Sequence, residues 1–96
     1  MEGTLDARYR ELVSKWIRIY LELFEGDKDM EEAALNVCGN IPFGYGKPQS
    51  VSAVCVQIAS NRMKKPISPK EIIHTTGISM RTFINIKNYL KNRGVS

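Results

Sequence analysis

Residues 66–90 read Pro66-Ile67-Ser68-Pro69-Lys70-Glu71-Ile72-Ile73-His74-Thr75-Thr76-Gly77-Ile78-Ser79-Met80-Arg81-Thr82-Phe83-Ile84-Asn85-Ile86-Lys87-Asn88-Tyr89-Leu90. This is the pattern of a helix-turn-helix. Ser68 is placed to cap a short helix, Pro69 suits its first position, and Glu71, three residues after Ser68, completes a capping box. Ile72 and Ile73 give this helix a buried side. Gly77 falls where the chain must turn, because Gly reaches left-handed dihedrals at little cost. Ile78 pins the turn, and Ser79 caps a second helix. Phe83, Ile86 and Leu90 recur at helical spacing and form its inner face. Arg81, Thr82, Asn85, Lys87, Asn88 and Lys91 are left for the outer surface. A helix of this kind, following such a turn, is the one that enters the major groove of duplex DNA. A helical hairpin with a solvated basic face that touches no nucleic acid has the same local pattern, so the motif leaves both readings open.

The charge distribution favours the first. Residues 1–46 carry five Lys/Arg against nine Asp/Glu, a net of −4, and residues 47–96 carry nine Lys/Arg against Glu71 alone, a net of +8. The overall +4 therefore hides a dipole whose basic end coincides with the helix-turn-helix. Lys47, Arg62, Lys64, Lys65, Lys70, Arg81, Lys87, Lys91 and Arg93 are all candidates to neutralise phosphates. The competing explanations are a solvated basic surface or attraction to an acidic protein. The acidic half is suited to a basic partner, or to orienting the molecule on DNA by repulsion.

The 96 residues, 43% hydrophobic and 25% charged, suit one small domain with a modest core, spanning 1–96. No apolar run approaches the roughly 18 residues of a membrane span. Met1-Glu2-Gly3-Thr4 begins with an acid and a glycine, so secretion is not expected and the expected location is intracellular: the cytoplasm of a prokaryote or a virus-infected cell, or a nucleus. Cys38 and Cys55 both lie in apolar helical patterns. They are either reduced core cysteines or, if their helices pack side by side, a disulfide. One His and two distant Cys make no metal site.

Upstream of residue 66 the pattern is again helical, and strand signals are nearly absent. Tyr9, Leu12, Val13, Trp16, Ile17, Tyr20 and Phe24 predict a helix over about 8–24, while Ile19, Leu21 and Leu23 widen its apolar surface. That helix either meets two neighbours or leaves a strip for another molecule. Met30, Ala33, Ala34, Val37, Cys38 and Ile41 predict a second helix over about 29–40, capped by Asp27 or Asp29. Pro42-Phe43-Gly44-Tyr45-Gly46-Lys47-Pro48 is a loop; it either presses its backbone against phosphate or simply connects helices with Phe43 in the core. Residues 48–62 are apolar on nearly all sides except Ser52, Gln57 and Ser60, so this third helix is central and buried. The remaining two helices fall at about 68–75 and 79–92. Gly94-Val95-Ser96 is expected to fray.

Several segments together resemble a cyclin-like repeat of the transcription factor IIB family. They are Ser50-Val51-Ser52-Ala53-Val54, Ile58-Ala59-Ser60, Lys70-Glu71-Ile72, Gly77-Ile78 and Thr82-Phe83. The resemblance covers residues 48–91, and the first two helices agree with the family in length and order. It implies an all-α, five-helix cyclin-like fold with a C-terminal helix-turn-helix, a role in transcription, and TATA-binding protein or RNA polymerase as partners. In the family, a Val and an Arg three residues later read an element beside the TATA box; the corresponding residues here are Arg81 and Ile84. Polar and apolar positions are thus exchanged, and the family's base preference does not transfer. The chain lacks a second repeat and a zinc ribbon, so it is expected to be a fragment or a stand-alone repeat, the latter suited to homodimerisation.

The leading expectation is a DNA-binding transcription regulator. Arg81, Asn85, Ile84 and Asn88 would make base contacts, with Arg81 on guanine and Ile84 on a thymine methyl; alternatively Ile84 is core. Lys64, Lys65, Lys70, Thr82, Lys87 and Lys91 would contact phosphates. The second expectation is a cyclin-like protein-interaction module. No acid–base pair, nucleophile with a His, or phosphate-cradling Gly motif appears, so neither an enzyme nor a cofactor is expected.

Overall fold

The computed structural model describes residues 2–42 and 45–95, with side chains from Ala7 onward. The described residues form five α-helices and no strand: α1 (Glu2–Leu23), α2 (Lys28–Cys38), α3 (Pro48–Arg62), α4 (Pro69–Thr76) and α5 (Met80–Asn92). The expected order is therefore met, with α1 reaching back to Glu2. None of the helices is long and apolar enough to cross a membrane.

Local chemistry accounts for the boundaries. Asp27, rather than Asp29, caps α2 and accepts the Met30 N–H at 2.9 Å. Ser68 Oγ accepts the Glu71 N–H at 3.1 Å, and the Glu71 carboxylate stands 3.5 Å from the Ser68 hydroxyl. Ser79 Oγ accepts the Thr82 N–H at 3.1 Å and donates to Thr82 Oγ1 at 2.9 Å. Such caps stabilise a helix by about 1 kcal/mol each. Gly77 ends α4 at φ 78°, the left-handed conformation a Cβ would oppose, and its N–H donates to Ile73 O.

The core is organised around α3. Every residue from Ser50 to Ser60 is buried, and α1, α2, α4 and α5 all pack on this helix, with α1 also against α2. Val54, Ala53 and Ala59 are small enough to let these neighbours approach closely. The buried polar groups are all partnered among the described residues. Ser52 Oγ donates to Val13 O at 2.9 Å, tying α3 to α1. Ser60 Oγ donates to Gln57 O and accepts the Ile67 N–H at 3.0 Å. Gln57 Nε2 donates to Ile67 O at 3.2 Å. Gln57 and Ser60 thus hold the segment that leads into α4 by both of Ile67's backbone groups.

One expectation is corrected, and of the two readings of the cysteines the reduced one holds. The end of the chain does not fray as far as Val95. The Val95 side chain is buried, and its N–H donates to Leu90 O at 2.9 Å beyond a left-handed Gly94. Ser96 lies outside the described residues. Cys38 and Cys55 are both free thiols; Cys38 Sγ donates to Leu35 O. Burial pushes both thiols up, Cys55 well above its ordinary value, so neither is disposed to ionise.

Candidate nucleic-acid interface

Of the nine basic residues in 47–96, Lys70 lies on α4, Arg81, Lys87 and Lys91 on α5, and Arg93 at the C-cap of α5. The inner face of α5 is the one expected: Phe83, Ile86 and Leu90 are buried, and α5 packs on α3. Opposite that face, spaced four, three and four residues apart, lie Arg81, Asn85, Asn88 and Asn92, all exposed. Asparagine is a poor choice for a helix interior, because its amide competes with backbone hydrogen bonds. Asn85 and Asn88 lie in the helix interior and carry that cost on an exposed face, while Asn92 is the last residue of α5. Ile84 is exposed at 45% and Met80 at 51%, so Ile84 is not a core residue. Asn92 and Met80 were missed in the sequence. Asn92 sits at the helix end, where a polar residue attracts no notice, and Met80 fits an inward position as well as an outward one.

The candidate phosphate residues divide by surroundings. Lys64, Lys70 and Lys91 are exposed. Lys64 has a left-handed backbone, φ 59°. Lys65 is exposed but pairs with Asp27, Nζ to Oδ2 at 3.1 Å, joining the α3–α4 connection to the start of α2. Together with the Met30 N–H, the larger influence, this ammonium holds the Asp27 carboxyl below its ordinary value. Lys87 turns inward from the outer surface. It is half-buried; its ammonium donates to Gln57 Oε1 at 3.1 Å and lies 5.5 Å from the centre of the Phe83 ring. Thr82 is also half-buried, its hydroxyl held by Ser79. Arg93 stacks on Tyr89, 4.8 Å from the ring centre, an arrangement that orients the guanidinium. His74 is exposed on α4.

Next to α5 runs an open groove of about 730 Å³ between the Tyr45-Gly46-Lys47 segment and the Thr76–Ser79 turn, with Thr82 and Asn85 on its wall. Two ties hold the near side of this groove. The Tyr9 hydroxyl donates to Gly46 O at 2.7 Å, and Tyr45 stacks on Tyr89 with ring centres 4.3 Å apart. The loop therefore bridges α1 and α5 and holds Lys47 at the groove's rim. Phe43 and Gly44, the rest of the loop reading, lie outside the described residues. The N-termini of α3 and α5 border this groove, and their aligned peptide dipoles add positive potential to that of Lys47.

Chemically, α5 offers exposed Arg and Asn side chains able to make paired hydrogen bonds to planar acceptor–donor edges, with exposed Met80, Ile84 and Lys91 on the same helix. Comparison of the chain with protein-family models, with curated proteins and with solved structures found no match.

Proposed function

We propose that this chain is a DNA-binding transcription regulator resembling one cyclin repeat of transcription factor IIB, with α4, its turn and α5 acting as a helix-turn-helix and α5 lying in the major groove. The observation that carries this reading is the outward row Arg81, Asn85 and Asn88 on a helix whose opposite side is anchored in the core, in a half of the chain with a net charge of +8. Arg81 suits the O6/N7 edge of guanine, Asn85 and Asn88 the N6/N7 edge of adenine, and Ile84 a thymine methyl. Lys64, Lys70 and Lys91 supply phosphate contacts that set register. The five helices in this order, around a buried small-residue α3, are compatible with a cyclin-like repeat. On this reading the protein binds rather than catalyses, and it acts where genomes are transcribed, in the cytoplasm of a prokaryote or infected cell or in a nucleus.

Fluorescence anisotropy with mixed-sequence duplexes across a salt series tests the proposal. Affinity should fall steeply with salt, and Lys91→Ala should flatten the slope by about 0.9. Arg81→Ala should cost about 1–3 kcal/mol on a selected site and relax preference at one base pair. Absence of binding at low salt would defeat the proposal.

The exposure of Met80 and Ile84 favours one second reading. Exposed apolar side chains on a basic helix also suit an acidic protein surface, such as one on TATA-binding protein or an RNA polymerase subunit. Retention on such a partner without retention on DNA would select it.

A further inference from the structure

α1 carries more apolar surface than its own domain uses. Val13, Ile17, Tyr20 and Leu21 are in the core. Beside them lies a second row, Leu12, Trp16, Ile19 and Leu23. Leu12 is 41% and Leu23 59% exposed, while Trp16 and Ile19 are half-buried against the core edge. Residues three and four apart are neighbours on a helix, so the row is one continuous stripe.

The spacing of this stripe suits a second copy of itself. Its intervals are four, three and four residues, and that sequence of intervals is the same in both directions. A second copy of α1 laid antiparallel therefore meets the first along the whole stripe at once. Leu12 faces Leu23 of the other copy at both ends, and Trp16 faces Ile19 twice in the middle. This is a closed two-fold contact in which the same patch serves both partners.

Charge selects the same arrangement. Lys15 and Glu22 are both exposed, lie on the same flank of the stripe seven residues apart, and form no ion pair among the described residues. In the antiparallel pair the two charged flanks adjoin, and Lys15 of each copy comes within a turn of Glu22 of the other. Glu11 lies on the same flank, about 20° beyond Glu22 and further from the contact than either Lys15 or Glu22. A parallel pair would instead put the charged flank of one copy against the Tyr9 side of the other, with no cation–anion match.

We propose that this protein self-associates through α1, as an antiparallel two-fold dimer along Leu12, Trp16, Ile19 and Leu23 with reciprocal Lys15–Glu22 pairs. The inference goes beyond the DNA reading and does not rest on it. α5 makes its main contact with α3, and none of the four residues of the stripe lies on it.

Sedimentation equilibrium of the full chain tests the proposal, with the emission of Trp16, the sole tryptophan, read on the same samples. From about 1 μM to about 1 mM, the weight-average mass should climb from 10.9 kDa towards twice that value. Trp16 emission should shift to the blue in step. Leu23→Glu should raise the dissociation constant at least about tenfold while leaving the circular dichroism melt of the dilute monomer unchanged. Lys15→Glu should weaken association, and adding Glu22→Lys in the same chain should restore it. A monomer at every concentration would overturn the proposal. So would a dimer that neither Leu23→Glu nor Lys15→Glu disturbs, since association would then use another surface.

Discussion

Lys87 on α5 and Gln57 on α3, thirty residues apart, meet at 3.1 Å, and the ammonium supplies the hydrogen bond that the buried Gln57 Oε1 needs. Gln57 also holds Ile67 O through its amide nitrogen. One side chain of the central helix therefore sets both the entry to α4 and the seat of α5, and Lys87 acts as a positioning residue within the fold.

Lys87→Ala should consequently behave as a stability variant. It leaves Gln57 Oε1 buried without its partner, at a cost of about 1–3 kcal/mol in urea unfolding. The Lys87→Met/Gln57→Leu double change should cost less than the sum of its single changes, with a coupling of about 0.5–3 kcal/mol. In the DNA assay the salt slope of Lys87→Ala should stay close to that of the parent, in contrast to Lys91→Ala. A slope reduced as much as in Lys91→Ala would show that the ammonium leaves Gln57 for phosphate.

Lys64 occupies a left-handed position after α3, where its own Cβ opposes the backbone. Glycine there would relieve about 1–2 kcal/mol of strain and cost part of that again in unfolded-chain entropy. Lys64→Gly should raise the unfolding free energy by roughly 0.5–1 kcal/mol and weaken DNA binding at low salt. Improved stability with unchanged affinity would remove Lys64 from the phosphate contacts.

Asp27 gives a stability effect with a defined sign. Its carboxyl is held below its ordinary value by the Met30 N–H and then by Lys65. A group depressed in the folded state stabilises fully above the unfolded carboxylate value, near about 3.9, and that contribution is lost as pH falls through the lower folded value. Asp27→Asn keeps a capping acceptor but does not titrate. The advantage of the parent over Asp27→Asn in urea midpoint should therefore be present at about pH 6 and shrink as pH falls below about 4. A constant difference across that range would rule out the linkage.

The thiols should differ in accessibility. Cys55 is fully buried and Cys38 half-buried, and burial raises both. Alkylation of the native protein near neutral pH should modify Cys38 slowly and leave Cys55 intact, with Cys55 reacting only at the rate of unfolding. Equal rates at the two positions would contradict this packing.

Much of this structure was legible because it rests on local chemistry. Ser68 with Glu71, Gly77 at the turn, and Ser79 before Met80 each act within a few residues, and the Phe83-Ile86-Leu90 spacing needs only the helical period to be read. The near-continuous apolar character of residues 51–59 likewise identifies a helix buried on all sides. What escaped the sequence depends on distant groups. Lys87 belongs to the outer surface by its spacing, but Gln57, buried on another helix, draws it in. Lys65 is captured by Asp27 across the fold, and Tyr45 finds Tyr89 only once the loop has closed. Ile84 had two readings, core and surface, because apolar periodicity does not separate the centre of a buried face from its margin. The candidate interface was thus visible as a helix and a charge, while the division of its lysines between structure and surface was not.

The encasement of α3 sets how the molecule opens. The pair α1–α2 and the pair α4–α5 are joined chiefly through that helix, and neither pair has a core of its own without it. Deuterium should enter the backbone amides of Val54 to Ala59 only when the whole chain unfolds, so their exchange rate measures global stability. Amides near the ends of α1 and α5 should exchange by fraying. A cut between α3 and α4 would accordingly strip α4 and α5 of the helix they pack on, while α1, α2 and α3 keep their contacts with one another.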